Sequence, residues 1–576
     1  NGDKFVDREG DQLWIRGFRF QTPRSYDSDR QTTRFVQGLR GETASGWDWD
    51  TAIVISNGES RMLNHGRIAL TLLDEALAKN TPDAFNPFCA GVNCNEEQAL
   101  ISIFRENTSD LYMIDFKASN PEVFEMPAGP VGLLFGTELR REKLGDIRDP
   151  NINGTIPWTG GQGAPYVSNV ANSSPSPNTN GSRTTFSMFS EAQIPLASNI
   201  DTQLAIRGEK ADDFGANVVG KFAMRWQLMD QVMLRASSST SFKAPNLVVM
   251  NEGLIARNNS RTDALVAYAL RNNELADSNY SIQRLARGNP DLEAEEATNT
   301  SIGFVIEPIE GMIVTYDKWK IEQENTIGLF GEENHMLLDL LIRREGGPSE
   351  CTGNPLVTRA AFIADEESAG WDSNLCQAGV VQNVNDIYAN LDNRTLEGSD
   401  LIVQYKFDTN IGRFSLKLNS THYDEFYQEA SGPSARIIAA SSAGGLLDDP
   451  SVDAPEGFAN LLGVNGFFED KYTMNASWRN GPYQILISGT KFGEFEETAV
   501  TNNANGGDGS KFWMIESMTT YNLTLGYEVD NVRYRATVRN IEDTRAPLAD
   551  EYTWGAWNDV HNDYGMNYRF EVLVKF

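Results

Sequence analysis

No run of eighteen apolar residues occurs in this 576-residue chain, so a membrane-crossing helix is excluded. A strand facing lipid needs an apolar residue only at alternate positions, so a membrane β-barrel survives that exclusion. Linkers are missing as well. No Pro-rich tract, Gly/Ser spacer or block of like charge divides the chain into the several domains that its length alone suggests. Basic residues are scarce: 49 Lys and Arg stand against 80 Asp and Glu, for a formal net charge of −31. That balance argues against a nucleic-acid partner, whose phosphates are held by Lys and Arg. Catalytic signatures are also lacking. His65, His335, His422 and His561 lie far apart, and no H-E-x-x-H, G-x-S-x-G or P-loop pattern occurs, so the chain does not read as an enzyme. It begins at Asn1 with neither an initiator Met nor a leader, which reads as a mature or truncated product.

Cysteines are few, but they fall in two local pairs. Cys89 and Cys94 sit in "FCAGVNC", and Cys351 and Cys376 bracket a polar loop. Even parity and loop placement predict two disulfides and an oxidising, extracytoplasmic setting. A Cys₄ zinc site is the rival reading, and neither spacing matches the usual ligand pattern.

What the chain does have is alternation. Tyr568, Phe570, Val572, Val574 and Phe576 share one face of the closing segment, while Asn567, Arg569, Glu571 and Lys575 share the other. The same period runs through "NVRYRATVR", "GANVVGKFAMRWQL" and "GRFSLKLN". Read this way the chain is all-β, with strands from 12–22 and 31–41 through to 563–576, about eighteen in total. A soluble sandwich also alternates, and the connections separate the two cases. Every second connection is tight, as in "ETASG" (42–46), "MPAGP" (126–130) and "VDN" (529–531), while most of the others are long. That rhythm predicts a transmembrane antiparallel β-barrel with short periplasmic turns and long extracellular loops. The stretch "SSSTSFKAPNL" (237–247) then reads as an outward strand leaving the lipid zone, where Pro245 ends its ladder. On this count the first strand runs outward and the chain enters from the periplasmic side.

Several stretches together resemble the TonB-dependent outer-membrane receptors, in their large proteobacterial form. They are "SSSTSFKAPNL" (237–247), "GNPDLEAEEATNTSIGFVIEP" (288–308), "LDNRTLEGSDLIVQYKF" (391–407) and the closing "NYRFEVLVKF" (567–576). They stand beside "WDWDTAIVISNGES" (47–60) and "FEMPAGPVGLLFGTELRREKL" (124–144), and span nearly the whole chain. The resemblance implies a multi-pass barrel of about 22 strands in a Gram-negative outer membrane, set in lipid and lipopolysaccharide and closed by an N-terminal plug. It also implies import powered through the TonB–ExbB–ExbD complex. Residues 1–576 then correspond to the C-terminal barrel part, with the plug and first four strands outside the sequence. The expected activity is active uptake of a scarce or large nutrient: an oligosaccharide, an iron chelate, a cobalamin-like cofactor or a peptide. A passive eighteen-stranded porin is the alternative.

Candidate site residues follow from the topology. Tyr552, Trp554, Trp557 and Tyr564 crowd the last outer loop, where exposed aromatics stack on sugars or flat chelates; Trp158 and Trp371 lie in other outer loops. Packing between loops, or an aromatic girdle at the lipid interface, is the plainer use of such residues. Arg533, Arg535 and Arg539 share the lumen face of one strand, ready to meet a plug or an anionic substrate. The acidic stretch 446–456 suggests structural Ca²⁺, although it lacks the D-x-D-x-D-G spacing; no other cofactor is implied, and a catalytic or metal site is not expected. Residues 64–80 carry apolar positions at helical spacing and predict a short helix on the first long loop.

Overall fold

The computed structural model describes residues 20–89, 91–159, 168–274, 276–391, 393–455, 460–501, 512–549, 557–558 and 560–575, with the backbone of Lys4–Val6 and Gln12–Trp14. Seventeen strands form the barrel wall. They are β1 (Ser25–Glu42), β2 (Asp48–Ile68), β3 (Leu100–Met126), β4 (Gly129–Arg148), β5 (Thr179–Ala197) and β6 (Ile200–Ala211). Next come β7 (Gly215–Met229), β8 (Val232–Lys243), β9 (Glu295–Ile309), β10 (Met312–Glu324), β11 (Asn393–Thr409) and β12 (Gly412–Glu429). The wall ends with β13 (Asp470–Asn480), β14 (Tyr483–Phe492), β15 (Met518–Val529), β16 (Val532–Arg539) and β17 (Asn567–Val574).

Period two on each strand becomes a two-faced wall because the registers keep like with like. Ile114 lies opposite Ile53 on one side and Leu139 on the other, and all three are exposed, at 48%, 46% and 47%. Phe304 likewise lies between Leu234 and Tyr316. Positions of the other parity carry charge and hydroxyls: Arg235 grips Asp317, and the Ser237 and Ser301 hydroxyls meet at 2.8 Å. Apolar residues point out and polar residues point in, as in a barrel whose outer solvent is lipid. Tight turns gather at one end, and Gly311 shows why they need glycine: its φ is +80°, and a Cβ there would lie 2.2 Å from the Lys406 carbonyl oxygen. The long connections 69–99, 149–178, 244–294, 325–392, 430–469, 493–517 and 540–566 gather at the other end, with 212–214 the short exception.

The first predicted strand is the one that does not join the wall. Gln12–Trp14 pairs with Lys4–Val6 in a ladder of its own, and the barrel begins at Ser25. The reason lies in the next residues. The buried Glu96 carboxylate, in the first long loop, accepts from the backbone N–H of Gln21 (3.0 and 2.9 Å) and of Thr22 (2.7 Å) and from the Thr22 hydroxyl (2.7 Å). Phe20 stacks on Phe85 at 5.9 Å. The chain is therefore pinned at the long-loop end, and β1 runs toward the turns, opposite to the outward first strand expected from an even count. Sixteen antiparallel ladders link β1 through β17, so the first and last strands run the same way. The strand order closes on itself, but no register joins β17 to β1 among the described residues, and β1 is exposed on both faces almost throughout.

The packed apolar core lies in the loops rather than in the lumen. Leu265, Leu337, Leu340, Leu341, Leu375 and Ile437 come from three different long connections and bury one another. The predicted helix in 64–80 is shorter than expected, Leu70–Leu77, because β2 continues to Ile68.

Candidate functional site at the outer mouth

The long loops fold into a cap. Strands Ile255–Thr262, Asn279–Arg287, Val381–Ile387 and Val357–Arg359 form a small mixed sheet, in which Asn279–Arg287 runs parallel to Val381–Ile387. The helix Glu332–Gly346 packs beside it. Charge holds this cap together from inside. Arg359 donates to Asp263 from Nη1 (2.6 Å) and Nη2 (2.9 Å), and to Asp339 from Nε (2.9 Å). Asp263 also accepts from the Tyr280 hydroxyl at 2.5 Å, and Asp339 from Arg343 at 3.2 Å. Burial alone would raise the Asp263 carboxyl, but Arg359 and Tyr280 hold it below the usual carboxylate range. A second knot joins Asp386 to Arg284 (2.8 Å) and His335 (3.4 Å), and Glu332 to Arg284 (3.3 Å) and Arg261 (3.1 Å). Both predicted disulfides form, Cys89–Cys94 and Cys351–Cys376, and brace separate loops.

Beneath the cap a line of rings follows the lumenal rim. Trp319 on β10 meets Tyr423 on β12 edge-on at 5.8 Å, and Gly398 on β11 lies between them in register. A Cβ at Gly398 would approach the indole to 2.6 Å, so the contact depends on glycine there. The line continues from Tyr423 to Phe468 (6.4 Å), Phe492 (5.4 Å) and His561 (6.2 Å), whose ring stacks on Phe495 at 6.0 Å. Trp319 is fixed by its indole N–H, which donates to Asp400 at 3.0 Å; the Thr421 hydroxyl donates to the same carboxylate at 2.6 Å.

The residues singled out from sequence fall at several places. Tyr552 and Trp554 lie outside the described residues. Trp557 is 42% exposed and Tyr564 86%, on the segment that also carries His561. Trp158 and Trp371 do not join them: the Trp158 indole donates to Asp74 at 2.6 Å, and Trp371 packs edge-on against Phe362 in the cap. Arg533 reaches Glu528 at 2.9 Å and Arg535 reaches Glu571 at 3.7 Å, on the face opposite Tyr534 and Ala536, while Arg539 stands opposite Asn567. In the acidic stretch 446–456, Asp449 accepts from the Ser451 N–H and hydroxyl, and Asp448 from the Gly444 N–H. Among the described residues no three His, Cys, Asp or Glu side chains gather as a metal site. The four histidines have separate partners or none. The rim of rings went unseen in the sequence because its members come from five separate segments; the one signal present was Gly398 between ring-bearing strands.

His561 is 5% exposed, and neither ring nitrogen has a partner among the described residues. Burial lowers its pKa, so the folded state holds it neutral. A base lowered on folding contributes stability that is complete above its unfolded value, about 6.5, and is lost as pH falls below it. Amide exchange at Phe495 and Ile515, corrected for intrinsic rate, is expected to accelerate between pH 7.5 and 5, and His561→Leu to abolish that acceleration. An unchanged pH profile in the variant would remove His561 as the cause.

Comparison with known proteins agrees with this architecture. The family model described as TonB dependent receptor-like, beta-barrel, matches residues 2–541. No curated protein matches by sequence. Among solved structures, the siderophore receptor PirA of Acinetobacter baumannii is 14% identical with a TM-score of 0.58, over 95% of this chain and 63% of that one. A mutant of the ferric enterobactin receptor PfeA of Pseudomonas aeruginosa is 15% identical with a TM-score of 0.56, over 95% and 62%. The pyoverdine receptor FpvA of Pseudomonas aeruginosa, bound to pyoverdine, is 11% identical with a TM-score of 0.55, over 96% and 62%. The likeness is one of fold, and the chain spans a little over three fifths of each of these structures. With an outward apolar wall, a polar lumen and a match along nearly its whole length, this chain belongs to the TonB-dependent receptor β-barrel family, whose members are outer-membrane receptors and transporters rather than enzymes.

Proposed function

We propose that the chain is the barrel of an active importer. Its outer loops capture a scarce or large nutrient, and energy delivered by TonB–ExbB–ExbD opens a lumenal path to the periplasm. The observation that carries this reading is the cap. A passive pore gains nothing from loops that bury ion pairs and carry two disulfides above its mouth, whereas a receptor needs a preorganised capture surface. The pyoverdine-bound FpvA structure supports the reading by likeness of fold. In this reading the barrel is one part of a longer receptor, whose plug and remaining strands precede residue 1 and make the contact with TonB. Lipopolysaccharide surrounds its outward apolar face. The passive eighteen-stranded porin fits less well, because among the described residues the wall has seventeen strands, an odd number. The test is uptake by intact cells before and after collapse of the proton-motive force. Energised import is expected to fall at least tenfold, with surface binding retained; equal uptake in both states would leave a passive channel.

A further inference from the structure

Near the tight turns of β13 to β17, one alanine interrupts an outward row of large residues. The registers place two outward levels beside these turns. The level nearer the turns carries Tyr483, Tyr527 and Tyr534 side by side. The next carries Trp478, Ile485, Leu525, Ala536 and Phe570. Ala536 is the one small side chain of that second row, and it stands between Leu525 and Phe570. The result is a recess of about 430 Å³ in the outward surface, lined by Ala536 and by the rings around it.

The rings are held in place without a ligand. The Trp478 indole N–H donates to the Ile411 carbonyl at 2.8 Å. The Tyr527 ring lies 5.3 Å from that of Tyr483 and 6.5 Å from that of Tyr534. Side chains packed in this way lose little freedom when a ligand arrives. The three phenol hydroxyls make no hydrogen bond to a described residue, so each is a free donor. They stand at the turn-side end of the recess, and the level beyond them is apolar.

That polarity matches the orientation of one kind of molecule. The tight turns of such a barrel are periplasmic, so the recess opens into the periplasmic leaflet. A phospholipid there points its phosphate toward the turns and its acyl chains toward the middle of the wall. The phosphate oxygens accept from the phenols, and one chain lies over Ala536. Charge narrows the class further. No acidic residue is among those lining the recess, and the one basic residue, Arg535, turns to the lumen and pairs with Glu571 at 3.7 Å. An anionic headgroup finds no counter-charge here. A zwitterionic one brings its own ammonium, to which the phenol and indole faces are attractive. A second turn-side recess of about 490 Å³, between Trp49, Phe116 and Phe135, has the apolar part without the phenols. We infer that the recess over Ala536 is a binding site for one zwitterionic phospholipid of the periplasmic leaflet, retained there rather than exchanged with bulk lipid. The site belongs to the wall, so it serves an energised importer and a passive pore alike.

The test is native mass spectrometry of the receptor extracted from outer membranes in a mild detergent, with the bound lipid identified after ejection. One phosphatidylethanolamine is expected on about half of the molecules or more. Ala536→Phe, which fills the recess with a ring, is expected to lower that occupancy about fivefold. Tyr527→Phe combined with Tyr534→Phe keeps the rings, removes two donors and is expected to lower it about threefold. Ile206→Phe, at an exposed outward position on β6, is the control and is expected to leave occupancy unchanged. Heat-modifiable migration shows that each variant counted is folded. Offered equal amounts of phosphatidylethanolamine and phosphatidylglycerol, the delipidated protein is expected to take up about fivefold more of the first. A receptor that retains no phospholipid has only an ordinary aromatic girdle, and overturns the inference. So does retention that either recess variant leaves intact, equal or greater uptake of the anionic lipid, or ejection of lipid A in place of a phospholipid.

Discussion

Replacing Arg359 with methionine is expected to open the cap while leaving the barrel intact. Arg359 is 6% exposed and serves two carboxylates that are fully buried, Asp263 and Asp339. Without it, Asp263 keeps only the Tyr280 hydroxyl and the Leu265 N–H, and Asp339 keeps Arg343 and the Asn354 N–H. Removing one partner of a buried ionic group costs about 3–5 kcal/mol, because the remaining charge stays in a low-dielectric site. That is enough to unfold a small substructure, and the cap is one: its core cluster draws on the loops and has its own sheet. Limited proteolysis within 255–390 and amide exchange at Leu265 and Val384 are expected to rise by two or more orders of magnitude, while heat-modifiable migration of the barrel is unchanged. Adding Asp263→Asn to the Arg359→Met variant is expected to recover part of the loss, since a neutral amide needs no counter-charge. A cap as protected in Arg359→Met as in the parent would show that the lattice does not hold it.

The cap is also where sequence reading had least to work with. Strands of the wall announce themselves: 231–243, 412–426 and 483–495 were readable from alternation alone and appear as β8, β12 and β14 with ends shifted by a few residues. Lipid makes that pattern strict, because each outward position must be apolar. Residues 244–294 look like polar, unpatterned chain, yet two of the cap's strands lie there. They pair with each other, but the rest of their sheet comes from another loop about a hundred residues away, and the charges that suggest a solvated surface are spent on one another. Asp263 and Arg359 are 96 positions apart, which no local pattern reveals. The segment 12–22 failed for the opposite reason. Its alternation is genuine, but Glu96 and Phe85 capture residues 20–22 at the loop end, so tertiary contacts override the local period. The aromatic residues of 550–565 were the obvious binding candidates, whereas the ring contact at Trp319 and Tyr423 needed the register of three strands to become visible.

The largest effect expected of all concerns the seam. Strand β1 has eighteen residues and pairs along one edge with β2. Its other edge faces β17, which runs in the same direction and shares no described register with it. Backbone groups left unpaired in hydrocarbon cost several kcal/mol each, so both of these edges need a full ladder in a bilayer. An odd number of further strands between β17 and β1 would give both edges an antiparallel neighbour; five would bring the wall to about 22, the size at which a lumen takes a plug. In the protein isolated from outer membranes, Phe35→Cys combined in turn with Tyr568→Cys, Phe570→Cys or Val572→Cys is expected not to cross-link, since each intervening strand adds about 4.8 Å. The intact mass is expected to exceed the 63.9 kDa of these 576 residues. Residues 1–576 refolded alone are expected to yield no heat-modifiable monomer. Efficient cross-linking in any of the three pairs, with a stable monomeric barrel of 63.9 kDa, would mean that β1 and β17 close the wall by themselves. The chain would then be a complete seventeen-stranded pore, and the case for an energised importer would lose the segment through which TonB acts.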